Sequence, residues 1–217
     1  SLKNKLIIEM YKPLLKNLVF FKNIDNSDFI VKVVTSLKPL LSIKNDIVIE
    51  EGDYIKEIIF VKRGIIALNI CINLDEPEYS LKKYLGRNHF GKFDNSYKRL
   101  NSRKSIDENV LNNIFNKSEE SLDHFYNDDN IEDIKIIEIR KNEHFGDALM
   151  FLNERCPLVA KVRTKTAECL ILRKIEAIEI YSIYPNIWKR INKKSLSNMA
   201  QIYKKIKKVV IELSNRY

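Results

Sequence analysis

A chain of 217 residues has room for one large domain, and 45% hydrophobic against 31% charged residues allow a sizeable core, which excludes wholesale disorder. Only 5 Gly and 5 Pro are present, which excludes collagen-like and flexible-linker chains and makes each turn glycine informative. The formal net charge of +9 is unevenly spread: Leu74–Asp133 carries 9 Lys/Arg against 13 Asp/Glu, whereas Lys189–Tyr217 carries 9 against Glu212 alone. The closing stretch is therefore a basic helix face, which can meet anionic lipid, nucleic acid or an acidic partner, or simply be solvated.

Cys71, Cys156 and Cys169 show no paired metal-ligand spacing, which argues against a disulfide framework or zinc site and for a reducing compartment. No apolar run reaches the roughly 18–20 residues of a membrane span. The amphipathic opening is not that of a signal peptide. The expectation is a soluble segment, which a membrane protein could still carry.

Residues 2–23 read as helical, with Leu2, Leu6, Met10 and Leu14 on one face and Pro13 as punctuation. Asn26-Ser27-Asp28 offers an N-cap for a helix over 27–37, with Phe29, Ile30, Val33 and Val34 as its apolar stripe. After Leu37-Lys38-Pro39 the period changes to two. Leu41/Ile43, Ile47/Ile49 and Ile58/Phe60 read as half-buried strands, separated by turns at 44–46, 51–53 and 62–64, and Ile65–Ile72 is a further strand. Short strands at this spacing predict a sandwich or barrel.

Residues 74–133 lack a sustained period and are rich in Asn, Asp, Lys and Ser, with only Val110–Phe115 weakly helical. They read as a low-complexity insertion, with a docked element of its own as the alternative. Strand character returns at Ile134–Arg140, Leu158–Arg163 and Glu168–Leu172. Ile175–Tyr184 is a helix stopped before Pro185, and 187–215 is a longer one. Its positions Leu196, Met199, Tyr203, Ile206, Val210, Leu213 and Tyr217 keep heptad spacing over about three repeats. Ile202 and Val209 widen that stripe, which favours packing on the strand body over a coiled coil.

Several of these segments act together as a signature. Asp46-Ile47-Val48-Ile49-Glu50-Glu51-Gly52-Asp53, Ile59-Phe60-Val61-Lys62-Arg63-Gly64, Glu143-His144-Phe145-Gly146-Asp147-Ala148-Leu149-Met150, Ala160-Lys161-Val162-Arg163 and Glu176–Pro185 follow one another in the order of the cyclic-nucleotide-binding domain, which the chain resembles. The resemblance implies an α+β fold: a jelly-roll-like β-roll of about eight strands, with N-terminal helices and two C-terminal helices. Leu6–Met10 through Leu18–Lys22 resembles the end of the linker that joins pore to regulatory domain in cyclic-nucleotide-gated, plant inward-rectifying and ether-à-go-go potassium channels. The implied organisation is a linker end over 1–25 and a cyclic-nucleotide-binding-like domain over 26–217, interrupted by the insertion at 74–133.

For the pocket, the resemblance implies a phosphate-binding cassette formed by Phe145, Gly146, Asp147, Ala148 and Leu149, closed by Leu158, Val159 and Ala160. A cyclic monophosphate needs backbone N–H groups at a helix start and an Arg to meet its charge, and an acid to accept from the ribose 2′-hydroxyl. The acid position is Asp147, one methylene shorter than the family's Glu. The Arg position falls on Leu158, which cannot pair with phosphate; a lost charge-assisted bond costs about 1.5–3 kcal/mol. Arg155, three residues earlier, is a candidate surrogate. Ile55 and Asn142 stand where the family has turn glycines, so the Glu51–Lys56 turn must be rebuilt.

The expectation is a regulatory domain of a potassium channel with a degenerate phosphate site and no cofactor, modulating gating or assembly. It would lie on the cytoplasmic side of a membrane, as part of an integral membrane protein that assembles as a homotetramer. The alternative is a genuine cAMP or cGMP sensor using Asp147 and Arg155. The face formed by Lys204, Lys205, Lys207 and Lys208 is a candidate for an anionic lipid surface; a nucleic-acid partner is the weaker reading of that face and is not expected. His89, His124 and His144 are scattered, so no catalytic residue, metal site or enzyme activity is expected. Asp147 beside His144 reads as a cassette acid next to a surface histidine.

Overall fold

The structure is a computed structural model that describes residues 17–86 and 130–216, together with positions 2, 6, 9 and 11. Half of the 2–23 segment, His89, His124, Val110–Phe115 and Tyr217 lie outside the described residues. A 3-10 turn over Val19–Phe21 buries Phe20 and Phe21. Asn26 then caps helix α1 (Ser27–Ser36), its side chain accepting from the Phe29 N–H at 2.8 Å, and Phe29, Val33 and Val34 form the buried face.

Among the described residues eight strands follow: β1 (Lys38–Ile43), β2 (Ile47–Ile49), β3 (Glu57–Arg63), β4 (Ile66–Asn73), β5 (Ile131–Ile139), β6 (His144–Phe145), β7 (Val159–Val162) and β8 (Thr166–Arg173). Helix α2 (Pro77–Gly86) follows β4, α3 (Asp147–Leu152) links β6 to β7, and α4 (Lys174–Ile183) and α5 (Pro185–Ser214) close the chain. The strands pair antiparallel in two four-stranded sheets, ordered β1-β8-β3-β6 and β2-β7-β4-β5. This is the α+β, jelly-roll-like roll with helices at both ends.

Two strands differ from their expected faces. In β1 it is Ser42 that is buried, while Leu41 and Ile43 point outward. The register Leu40↔Cys169 and Ser42↔Ala167 puts these positions on the core side with the buried Cys169 and Ala167. Alternation fixes a period of two but not which of the two faces is inside. In β3 the residues Ile58, Ile59, Phe60 and Val61 are all buried, so the strand is covered on both faces. Phe20, from the turn before α1, packs edge-on against Phe60 at 5.1 Å.

The insertion also has different bounds. β5 begins at Ile131, paired with Asn73 across the sheet, so the intervening chain leaves and returns at adjacent strand ends. A long loop closed at such a point costs little more than a shorter one, because closure entropy grows only logarithmically with length. Its opening segment is the docked helix α2. Leu81 and Tyr84 are buried, and the Tyr84 hydroxyl donates to Glu51 Oε2 at 2.7 Å and accepts from the Cys71 N–H at 3.0 Å. Burial and the neighbouring Glu51 push the Tyr84 phenol far above its ordinary value.

Helix α5 lays Leu196, Met199, Ile202, Tyr203, Ile206, Val210 and Leu213 onto the body of the domain, where it packs on α2, α3 and β5. Its stripe is thus a packing face and not a free seam. The Glu51–Lys56 turn is rebuilt around the 154–156 segment: Gly52 N–H donates to Cys156 O and Cys156 N–H to Asp53 O, both at 2.7 Å. Ile55 avoids positive φ altogether and is buried, while Asn142 takes φ 73°.

Candidate functional site

Gly146 opens α3 with φ +103°, and a Cβ there would lie 2.8 Å from the Glu57 carbonyl oxygen, so this corner accepts only glycine. The corner turns Asp147 inward, where it is 6% exposed. Asp147 Oδ2 accepts from His144 Nε2 at 3.0 Å and from the Ser195 hydroxyl of α5, and the Ala148 N–H adds a backbone bond. Burial raises the Asp147 pKa, but the adjacent His144 and these three donors outweigh it and hold the carboxyl below its ordinary value of 3.8. The acid is therefore ionised and tied at once to its own cassette and to the last helix. Ser195 is buried, and its oxygen also lies 3.0 Å from the Ile191 carbonyl one turn back.

His144 is not a surface histidine: its side chain is 9% exposed. It stacks on Phe60 at 5.7 Å and meets Phe20 edge-on at 5.2 Å. With Nε2 facing Asp147, its Nδ1 has no hydrogen-bond partner among the described residues.

A cavity of about 260 Å³ opens between α3 and α5, with Gly146, Asp147, Ala148 and Leu149 on one wall and Ser195, Met199 and Lys205 on the other. Lys205 is the one Lys or Arg among its described lining residues. Phe145 also lines it. Leu158, with no exposure, and Ala160 are in the core, and Val159 is half-buried between them, so these three residues contribute apolar packing, and none of them lines the cavity. Arg155 does not line the cavity. Its guanidinium donates to Gly52 O at 2.9 Å and lies 4.6 Å from the centre of the Tyr54 ring. Asp133 on β5 supplies a partner for Lys161, whose ammonium meets its Oδ2 at 2.9 Å instead of projecting freely. Lys204, Lys205, Lys207 and Lys208 are all exposed on α5, Lys208 lying 3.8 Å from Glu212.

Two rolled four-stranded sheets, a glycine-opened helix between β6 and β7, and two closing helices make up a β-roll fold. In solved structures the chain is similar to the regulatory domain of Toxoplasma gondii PKA in complex with cAMP, with a TM-score of 0.51 over 89% of this chain and 51% of that one, at 9% identity. The chain thus spans about half the length of that regulatory domain, and at this identity the likeness establishes the fold alone. No family model and no curated protein matches the chain in sequence.

At the positions the sequence resemblance assigns to a nucleotide, Asp147 is engaged by Ser195 and His144, and Leu158 and Ala160 are buried. A ribose hydroxyl approaching Asp147 Oδ2 would compete with Ser195 and His144 for it. A phosphate near Leu158 and Ala160 would lose its hydration against apolar side chains. Ser195 was not among the residues singled out from the sequence, although it stands between Ile191, Leu196 and Met199 on the buried stripe of α5. A small polar residue on an otherwise apolar helix face is the signal that marks it.

Proposed function

We propose that the chain is a regulatory module whose last helix is held against the cassette by the protein's own hydrogen bonds in place of a nucleotide. In its full-length setting we read it as the cytosolic regulatory domain of a potassium channel, modulating gating or assembly, in a homotetramer as the resemblance implies. The observation that carries this reading is the Ser195–Asp147 hydrogen bond, which joins α5 to the position that would otherwise receive the ribose.

A helix held this way can act on what precedes the domain only if its position is felt there. Three contacts supply that link. Arg190 Nη2 donates to Asn23 O at 2.6 Å, Lys194 Nζ reaches Val19 O at 3.4 Å, and Phe20 packs edge-on against Trp188 at 5.6 Å. Movement of α5 would thus move the turn at Val19–Phe21, the segment whose sequence resembles a channel linker. The exposed Lys204, Lys205, Lys207 and Lys208 suit an anionic membrane surface beside such a channel, at about 1 kcal/mol per lysine close to the lipid. The alternative, a cAMP or cGMP sensor using Asp147 and Arg155, would require Arg155 to leave Gly52 O and Tyr54, and Asp147 to release Ser195.

Titration calorimetry with cAMP and with cGMP at millimolar ligand tests the reading. The expected result is no micromolar binding; micromolar affinity for either nucleotide overturns it.

A further inference from the structure

A second cavity, of about 510 Å³, lies on the other side of His144, between the Val19–Ile24 turn and α5. Its charged lining is of one sign: Lys22, Arg190 and Lys194, with no acidic side chain among the described lining residues. Arg190 and Lys194 hydrogen-bond backbone carbonyls, which occupy single donors, and no acidic side chain among the described lining residues offsets their charges. The Ser195 and Asn198 side chains add polar groups, and the half-buried His144, whose Nδ1 has no partner among the described residues, lines the same cavity.

We propose that this cavity binds a small anion of the phosphate-ester class that carries at least two negative charges. Three cations around one concave space raise the local concentration of anions, and a multivalent one gains from all three at once. An Arg fork with free donors beside two ammonium groups matches the tetrahedral oxygens of a phosphate. The volume exceeds what one inorganic phosphate fills and falls in the usual range for small-molecule sites, about 300–1,000 Å³. The site adjoins the cassette cavity, sharing Val19, His144, Ser195 and Asn198 with it, but none of its three cations lines that one. It bridges α5 and the Val19–Ile24 turn, so its occupancy would tighten the joint between them. The same phosphate chemistry is offered by a soluble phosphorylated metabolite and by an inositol-lipid headgroup.

The test uses the whole chain and two probes: inorganic pyrophosphate by titration calorimetry, and phosphatidylcholine vesicles with or without phosphatidylinositol bisphosphate by flotation. The variant is Arg190→Gln with Lys194→Gln, which removes both charges but keeps a neutral donor for each backbone carbonyl; its melting curve checks the fold. The control, Lys44→Gln with Lys165→Gln, removes equal charge at exposed positions in the turns beside β1 and β8, away from both cavities and from the lysine face of α5. Binding of either probe should fall at least ~10-fold in the first variant and less than ~3-fold in the control. Pyrophosphate binding without vesicle capture identifies a soluble ligand, and vesicle capture that needs Arg190 and Lys194 identifies a headgroup. Absence of binding to both probes, or an equal loss in variant and control, overturns the site. Both variants leave Ser195 and Asp147 intact, so failure here is separable from failure of the proposed function.

Discussion

Replacing Ser195 with Ala removes one donor from a buried, ionised carboxylate and changes little else. Asp147 keeps His144 at 3.0 Å and the Ala148 N–H, so the charge is not orphaned. A hydrogen bond to a charged group is worth about 1.5–3 kcal/mol, and the two remaining donors place the loss near the lower end, about 1.5–2 kcal/mol. A domain of this length loses about 2–4 °C in Tm per kcal/mol, so the melting midpoint should fall by about 3–8 °C. A double-mutant cycle with Asp147→Ala isolates the pair. In the single Asp147→Ala protein the Ser195 hydroxyl retains the Ile191 carbonyl at 3.0 Å, while His144 Nε2 and the Ala148 N–H lose their acceptor in that variant and in the double mutant alike, so their cost cancels in the cycle. Denaturant unfolding of the four proteins should give a coupling of about 1–2 kcal/mol. If the two substitutions add within ~0.5 kcal/mol, Ser195 and Asp147 do not hold each other and α5 is kept in place by its apolar stripe alone.

Two further outcomes follow from the titrating groups. Because the folded Asp147 carboxyl lies below its ordinary 3.8, its contribution to stability is present above that pH and is lost as the pH falls through the folded value. Wild-type unfolding free energy should therefore drop more steeply below pH 3.8 than that of Asp147→Asn; parallel curves would show that this carboxylate is not specially stabilised. Burial pushes the thiols of Cys156 and Cys169 up to about 12 and about 11, whereas Cys71 is half-buried on β4. Alkylation of the native protein at neutral pH should modify Cys71 first, as read by peptide mass mapping, and early labelling of Cys156 would contradict the packing of the Gly52–Cys156 turn.

The cassette was legible because its chemistry is local. Phe145-Gly146-Asp147 needs one glycine at positive φ and one acid at a helix start, and both are written within three residues. The cap of α1 at Asn26 was legible for the same reason. The inward face of β1 was not, because alternating Leu41 and Ile43 look alike on either side of a sheet and only pairing with β8 decides between them. The latch was out of reach for a different reason. Ser195 lies 48 residues from Asp147 in sequence, and their meeting depends on the rotation of a 30-residue helix set by its whole apolar stripe. Helix α2 did leave a mark, Pro77 at its first position followed by Leu81 and Tyr84 on one face, but the polar composition around it masked the pattern. The environment of His144 was equally hidden, since its burial comes from Phe20 and Phe60, on two segments remote in sequence from it.

Amide hydrogen exchange along α5 measures the central claim most directly. If Ser195 and Asp147 secure the helix without a ligand, amides from Ser195 to Ile206 should be protected to near the global stability in the nucleotide-free protein, and millimolar cAMP or cGMP should leave their rates unchanged. Rapid exchange over that stretch, slowed on adding either nucleotide, would mean that the helix waits for a messenger and is not already held.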